Sequence, residues 1–321
     1  MQRLPHISLL IGARNAGQQS KFLLGLPQRH ARRFPLLTAV HSRSINMSPH
    51  STKGASGMDV AAKGEFPKPP TFKDPQDERQ YLKERLALAF RIFAKLGFDE
   101  GVAGHITVRD PLDPTTFWVN PFGVAWPLLK ASDLIRVDHH GQIVDGGPVR
   151  LLNVAAYMIH SAVHSARPDI NAVAHSHSIY GRAFSTLGRP LEITTQDTCV
   201  FYNDIALYDS FGGIVLGPEE GLSIAESLGQ KKAAILANHG LLTCGKSIES
   251  CVYWFMSLER SCQAQLLADA AAAGRGGETV KVADEDAEYT YKTVGSELAG
   301  WFSAKPAFDM MEREAAGEHK M

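Results

Sequence analysis

Strand-length apolar runs alternate with helix-length amphipathic segments from Asp74 onward, and that alternation leaves few folds open. Asp74-Pro75 opens a first helix, with Asp77 and Glu78 at the positive end of its dipole. Its apolar residues, among them Leu82, Leu86, Ala89, Phe93 and Leu96, recur at helical spacing, and Gly97 closes it. Strand-like runs follow at 105–109, 117–120 and 134–137, separated by Pro, Asp and Gly. A helix is expected over 152–166, stopped ahead of Pro168. Next come a strand at 170–175, a helix at 179–187, a strand near 199–202 and a helix at 218–228. Strands at 233–237 and 241–244 lead into a long helix over 247–273. Gly274 and Gly277 bound a flexible break, and weaker helical signals occupy 285–302 and part of the tail. The pattern predicts an α/β domain over residues 74–273, a helical C-terminal appendage at 274–321, and an extension with its linker at 1–73.

The composition excludes several classes of partner. A net charge of -1 over 321 residues gives no basic surface for nucleic acid or an anionic membrane. No apolar run approaches the ~20 residues that cross a bilayer. The four cysteines show no CxxC spacing and read as reduced, buried thiols. Residues 1–58 contain no Asp or Glu, yet carry Arg3, Arg14, Lys21, Arg29, Arg32, Arg33, Arg43 and Lys53. Basic, serine-containing and acid-free is the composition of a mitochondrial transit segment. The alternative is a disordered extension, or translation starting at Met47 or Met58, with the protein then cytoplasmic.

Chemistry concentrates in two places. In Ala172-Val173-Ala174-His175-Ser176-His177, period-two alternation puts Val173, His175 and His177 on one face of a strand. Two imidazoles so placed can share a cation, although hydrogen-bonded histidines also produce this spacing. In Ala237-Asn238-His239-Gly240 a buried strand ends in a turn that exposes His239, either as a third ligand or as a turn-capping residue. Three neutral histidines would leave coordination positions open for water or substrate.

These two segments together resemble the class II aldolase/adducin family. Also similar are Gly104-His105-Ile106-Thr107, Asn120-Pro121-Phe122-Gly123, Ser132-Asp133-Leu134 and Leu258-Glu259-Arg260, in the same order along the chain. The resemblance implies a three-layer α/β/α sandwich, a homotetramer with sites at subunit boundaries, and a Zn²⁺ ion on His175, His177 and His239. Three imidazoles also suit Fe²⁺.

The chain departs from the family at the catalytic acid. The resemblance puts Val154, Ala155 and Ala156 where aldolases and epimerases carry Ser-Ser-Glu, the hydroxyls that hold phosphate and the glutamate that moves the proton. Phe122 stands in place of a phosphate-contacting Thr or Ser, and His105 in place of an Asn. His160, one helical turn after Ala156, is a candidate proton donor or else a hydrogen-bonded residue that orients the site. The expected function is a metal-dependent lyase, decarboxylase or isomerase acting on a small unphosphorylated hydroxy- or oxo-acid or a sugar-derived carbonyl compound. The alternative is an adducin-like scaffold that binds actin or another protein. The tail carries no lysine cluster, which disfavours actin.

Overall fold

The computed structural model describes residues 65–215 and 217–321; the basic segment before Asp59 and its expected targeting role lie outside the described residues. The first helix, α1 (Pro75–Lys95), begins where expected because Asp74 caps it, its side chain accepting from the Gln76 amide at 2.9 Å. Its Leu86, Phe90 and Phe93 are buried against the sheet.

Eight strands form that sheet. They are β1 (His105–Arg109), β2 (Phe117–Val119), β3 (Ile135–Val137), β4 (Ile143–Gly146), β5 (Ala172–Ser176), β6 (Ile205–Tyr208), β7 (Ala233–Leu236) and β8 (Gly240–Gly245). Their order is β4-β3-β2-β1-β5-β8-β7-β6, antiparallel at every pairing except β6 with β7. The remaining helices are α2 (Val154–Ala166), α3 (Ile179–Ser185), α4 (Pro218–Leu228), α5 (Ile248–Ala273), α6 (Asp284–Val294) and α7 (Glu297–Ala315).

Side-chain alternation sorts the helices into layers. Ala172, Ala174, Ile235 and Leu241 join one core with α1, α5 and Phe184 of α3. Val173, Ala234, Leu236 and Leu242 join another with Ile159 and Val163 of α2 and Ile224 and Leu228 of α4. The result is the three-layer α/β/α sandwich, with the α2 and α4 layer on the side to which Val173 points. At period two, His175 is directed to that same side.

Two features depart from the sequence reading. The expected strand at 199–202 is a 3₁₀ turn over Asp197–Phe201. Thr198 lends its hydroxyl to the Thr194 and Thr195 amides, a local bonding pattern that competes with strand pairing. The strand begins only at Ile205, beyond Asn203 in the left-handed region at φ 55°. Strand β4 was not anticipated, because Asp145 and Gly146 disguise a half-buried edge. The C-terminal helices share one compact unit with the sheet. Ala304, Phe308 and Met311 of α7 enter the core with α1 and α5, and α7 runs so close to α5 that a Cβ on Gly300 would lie 2.3 Å from the Trp254 ring.

Candidate metal centre

The antiparallel pairing of β5 with β8 brings the histidines together. His175 stands opposite Leu242, and Ser176 opposite Leu241, so the turn preceding β8 lies beside the end of β5. That turn takes Asn238 into the left-handed region at φ 56°, a conformation asparagine tolerates better than most residues. His239 is then carried to the tip of the β7–β8 hairpin. Gly240 is required at its side, since a Cβ there would meet the Ser176 carbonyl oxygen at 2.8 Å.

The ligand atoms of His175, His177 and His239 all lie within 4.8 Å of one another. The ring centroids are 4.6 to 5.1 Å apart. Tetrahedral bonds of ~2.0–2.1 Å hold donor pairs ~3.4 Å apart, so side-chain adjustments of about 1 Å close the triad on a cation. His175 Nδ1–H donates to the Leu241 carbonyl at 2.8 Å, which fixes the tautomer and leaves Nε2 as the free lone pair. Burial holds the His175 pKa well below its usual range, with the neighbouring imidazoles adding to the effect. Burial and His177 bring His239 down to about 4, and burial followed by the Arg182 charge lowers His177. All three are neutral at pH 7, the state a metal ligand requires. In number, geometry and protonation the residues fit a divalent ion.

Behind the triad runs a buried polar chain. His105, on β1, pairs backbone to backbone with His175. Its Nδ1 lies 2.6 Å from His160 Nε2, His160 Nδ1 lies 2.7 Å from Thr107 Oγ1, and that hydroxyl lies 2.8 Å from His164 Nε2. Among the described residues His164 Nδ1 has no partner. Two proton arrangements satisfy the chain. One leaves His164 Nδ1 as an orphaned donor, the other as an orphaned acceptor, and a buried acceptor is the less costly of the two. In the favoured arrangement His164 donates to Thr107, Thr107 to His160, and His160 Nε2–H to His105 Nδ1. The proton of His105 then resides on Nε2. Burial holds all three imidazoles neutral, pulling His105 and His160 well below their usual range and His164 down to about 3.

The triad and His105 line a cavity of about 390 Å³. His160 is buried and is not among the lining residues; it contacts His105, which is. Among the described residues no carboxylate lines the cavity; Ala155, in place of the second serine of the pattern, does line it, and Ala156, in place of the acid, is buried beside it. Sequence reasoning did not single out Arg182, Phe211 and Ile214, which also line the cavity. Arg182 lies five residues past His177 and carried only that proximity as a signal. Phe211 and Ile214 belong to an irregular stretch with no periodicity to read, and the Phe211 ring comes within 6.4 Å of His239. The α3 segment that carries Arg182 is held by Glu259 of α5. That carboxylate accepts from Ser178 Oγ at 2.5 Å, the Tyr180 amide at 2.8 Å and the Gly181 amide at 2.7 Å.

Comparison with known proteins points in one direction. The family model described as the class II aldolase and adducin N-terminal domain matches residues 84–266. The chain is 44% identical over 243 residues to the decarboxylase NovR of Streptomyces niveus, covering 75% of this chain and 87% of that protein. A protein of Streptomyces roseochromogenus subsp. oscitans, named 4-hydroxy-3-prenylphenylpyruvate oxygenase/4-hydroxy-3-prenylbenzoate synthase, is also 44% identical, over 75% of this chain and 85% of its own length. Among solved structures, one described as an L-fuculose 1-phosphate aldolase from Glaciozyma antarctica PI12 superposes with a TM-score of 0.73 at 51% identity, covering 79% of this chain and 97% of its own.

Proposed function

Because the chain belongs to the class II aldolase/adducin family, as an aldolase-like protein of the lyase and decarboxylase type, we propose that it is a divalent-metal-dependent enzyme cleaving a C–C bond in a small unphosphorylated oxo- or hydroxy-acid. The observation that carries this reading is a complete histidine triad in a cavity that has no carboxylate on its walls. Zinc is the expected ion and Fe²⁺ the alternative, which the oxygenase name of one relative favours.

His175, His177 and His239 would hold the ion. Bound there, it would supply Lewis acidity for a carbonyl or enediolate oxygen of the substrate. The chain's own residues define the rest. Leu241 fixes the His175 tautomer, and the Thr107–His160 chain fixes that of His105, whose Nε2–H can donate to a substrate oxygen as negative charge develops on it. A family aldolase returns its proton through a glutamate, worth ~10²–10⁴-fold in rate. With alanine at that place, loss of CO₂ is favoured over aldol cleavage because no base has to remove a proton first; the electron pair needs a carbonyl placed to receive it, as in a 3-oxo acid, and a bound ion would supply Lewis acidity there.

A second reading has its own observation. The solved structure of 51% identity is described as an L-fuculose 1-phosphate aldolase. Phe122 and Ala155 line the cavity without a hydroxyl where the family pattern carries one, and Val154 beside them has none, which counts against phosphate. An adducin-like scaffold would need no metal ligands, and all three are intact. We further propose a homotetramer, which light scattering at micromolar concentration checks.

The test is elemental analysis of the wild type and of His175→Ala, His177→Ala and His239→Ala, followed by assays of CO₂ and aldehyde release with zinc- or iron-loaded protein. Dioxygen uptake separates the two metals. About one ion per chain, lost in each variant, supports the centre. Brisk metal-dependent cleavage of L-fuculose 1-phosphate by the wild type would overturn the unphosphorylated substrate.

A further inference from the structure

Two neighbouring members of the triad are placed by different means. His175 is held through its own ring, by Nδ1–H donating to the Leu241 carbonyl at 2.8 Å. The His177 ring makes no hydrogen bond among the described residues. It stands one residue past the end of β5, beyond the last pairing of that strand with β8 at Ser176 and Leu241. Its direction is therefore set by the backbone, and on the far side that backbone is the start of α3.

Helix α3 does not close its own N-terminus. Ser178 occupies the N-cap position, yet its hydroxyl bonds to none of the helix's amides. Those amides would otherwise be unsatisfied donors. Glu259 of α5 accepts from Tyr180 N with Oε1, and from Gly181 N and Ser178 Oγ with Oε2. Its carboxylate is buried and forms no ion pair among the described residues, so these three donors are what balance its burial. The helix has little room to move in this grip. A Cβ on Gly181 would lie 2.5 Å from Leu241 Cγ on one side and 3.0 Å from Glu259 Oε2 on the other. Leu241 is also the residue whose carbonyl holds His175.

We propose that Glu259 is a positioning residue of the metal centre, which fixes the direction of the His177 ring by clamping the first turn of α3 against Leu241. It does not line the cavity and acts only through the backbone that follows His177. The inference rests on the metal-dependent reading above, and it makes a buried glutamate on α5 a determinant of how tightly the three histidines hold an ion.

The experiment compares the full chain as wild type, Glu259→Gln, Ser178→Ala and Glu249→Gln. Glu249 is the control, because it is also buried in α5 but holds Arg85 and Tyr81 of α1. Zinc affinity is read by competition with a chelator, the Co²⁺ form by its visible absorption, and the metal-free fold by its melting temperature. Hydrogen-bond partners behind a metal ligand typically change affinity by about 10–100-fold. Glu259→Gln turns an NH₂ group toward a backbone N–H, and should weaken zinc about tenfold or more and alter the Co²⁺ spectrum. Ser178→Ala removes one of the three bonds and should act in the same direction but less; it carries the test should Glu259→Gln not fold. Glu249→Gln should lower the melting temperature and leave zinc affinity and the Co²⁺ spectrum at wild-type values. If Glu259→Gln and Ser178→Ala melt lower yet bind both metals as the wild type does, Glu259 is only a helix cap and the proposal is overturned, with the metal reading intact. Ring resonances of ¹⁵N-labelled histidines in the metal-free proteins separate the remaining case. A His177 signal displaced by Glu259→Gln, in a wild type that takes up no metal, would sink the metal reading and uphold the positioning.

Discussion

Replacing Thr107 by Val isolates the buried histidine chain from the rest of the site. Valine keeps the β-branched shape and suits the central strand β1, so packing is preserved. What disappears is one hydroxyl that serves two rings, His160 at 2.7 Å and His164 at 2.8 Å. His160 keeps its contact with His105, but His164 loses its last side-chain partner, because its Nδ1 already has none. Each buried polar atom left unsatisfied costs about 1–3 kcal/mol. Two such atoms, less the few tenths returned by valine's strand preference, give a loss of roughly 2–6 kcal/mol. In a domain of this size ~1 kcal/mol moves the melting temperature by about 2–4 °C, so the fall should be at least about 4 °C. Thermal melts followed by circular dichroism read it, on protein whose metal content is measured in parallel. Metal content should remain at the wild-type level, because Thr107 touches no member of the triad. A shift below about 1 °C would refute the hydroxyl as the hub of the chain and with it the proton assignment of His105.

Further outcomes follow from the same structure. His164 titrates near 3 in the folded chain but near ~6.5 unfolded, so below about pH 6.5 the unfolded state binds more protons. Stability of the metal-free protein should therefore be flat above that pH and decline steadily toward pH 4; a urea midpoint unchanged between pH 7 and 4 would contradict this. Gly104→Ala forces a Cβ to 2.9 Å from Trp126 and 3.0 Å from the His175 carbonyl, at φ +93°. Strain and overpacking together should cost about 2–5 kcal/mol, and a thermal shift equivalent to less than ~1 kcal/mol would count against it. Fusing residues 1–58 to a fluorescent reporter should give mitochondrial signal, and a diffuse cytosolic signal would favour a later start.

The sequence made the central layers legible because their signals are local. Strand β1, helix α4 and hairpin β7–β8 each announce themselves within a few residues, through period-two alternation, Pro-Glu-Glu at a helix start, or Asn-His-Gly at a turn. His175 and His177 were readable as a pair for the same reason. Other features depend on contacts distant in the chain. His105 and His160 are 55 residues apart, and only the packing of α2 against β1 makes them neighbours. The stretch carrying Phe211 has no period, and Arg182 acquires meaning only once α3 is placed beside the cavity. Residues 199–202 misled because apolar composition outweighed the Thr195 and Thr198 hydroxyls that tie the backbone into a turn.

Glu259 has a consequence that reaches beyond the capping of one short helix. It belongs to α5, in the layer across the sheet from α2, yet it holds the amides at the beginning of α3. Because α3 follows directly from His177 and bears Arg182, a displacement of α5 shifts the guanidinium relative to the histidine-bearing strand end. The distance between the guanidinium and the histidine triad is thus set in part from a helix on the far side of the sheet. Substitutions along α5 would retune that spacing while every residue on the cavity walls stays the same.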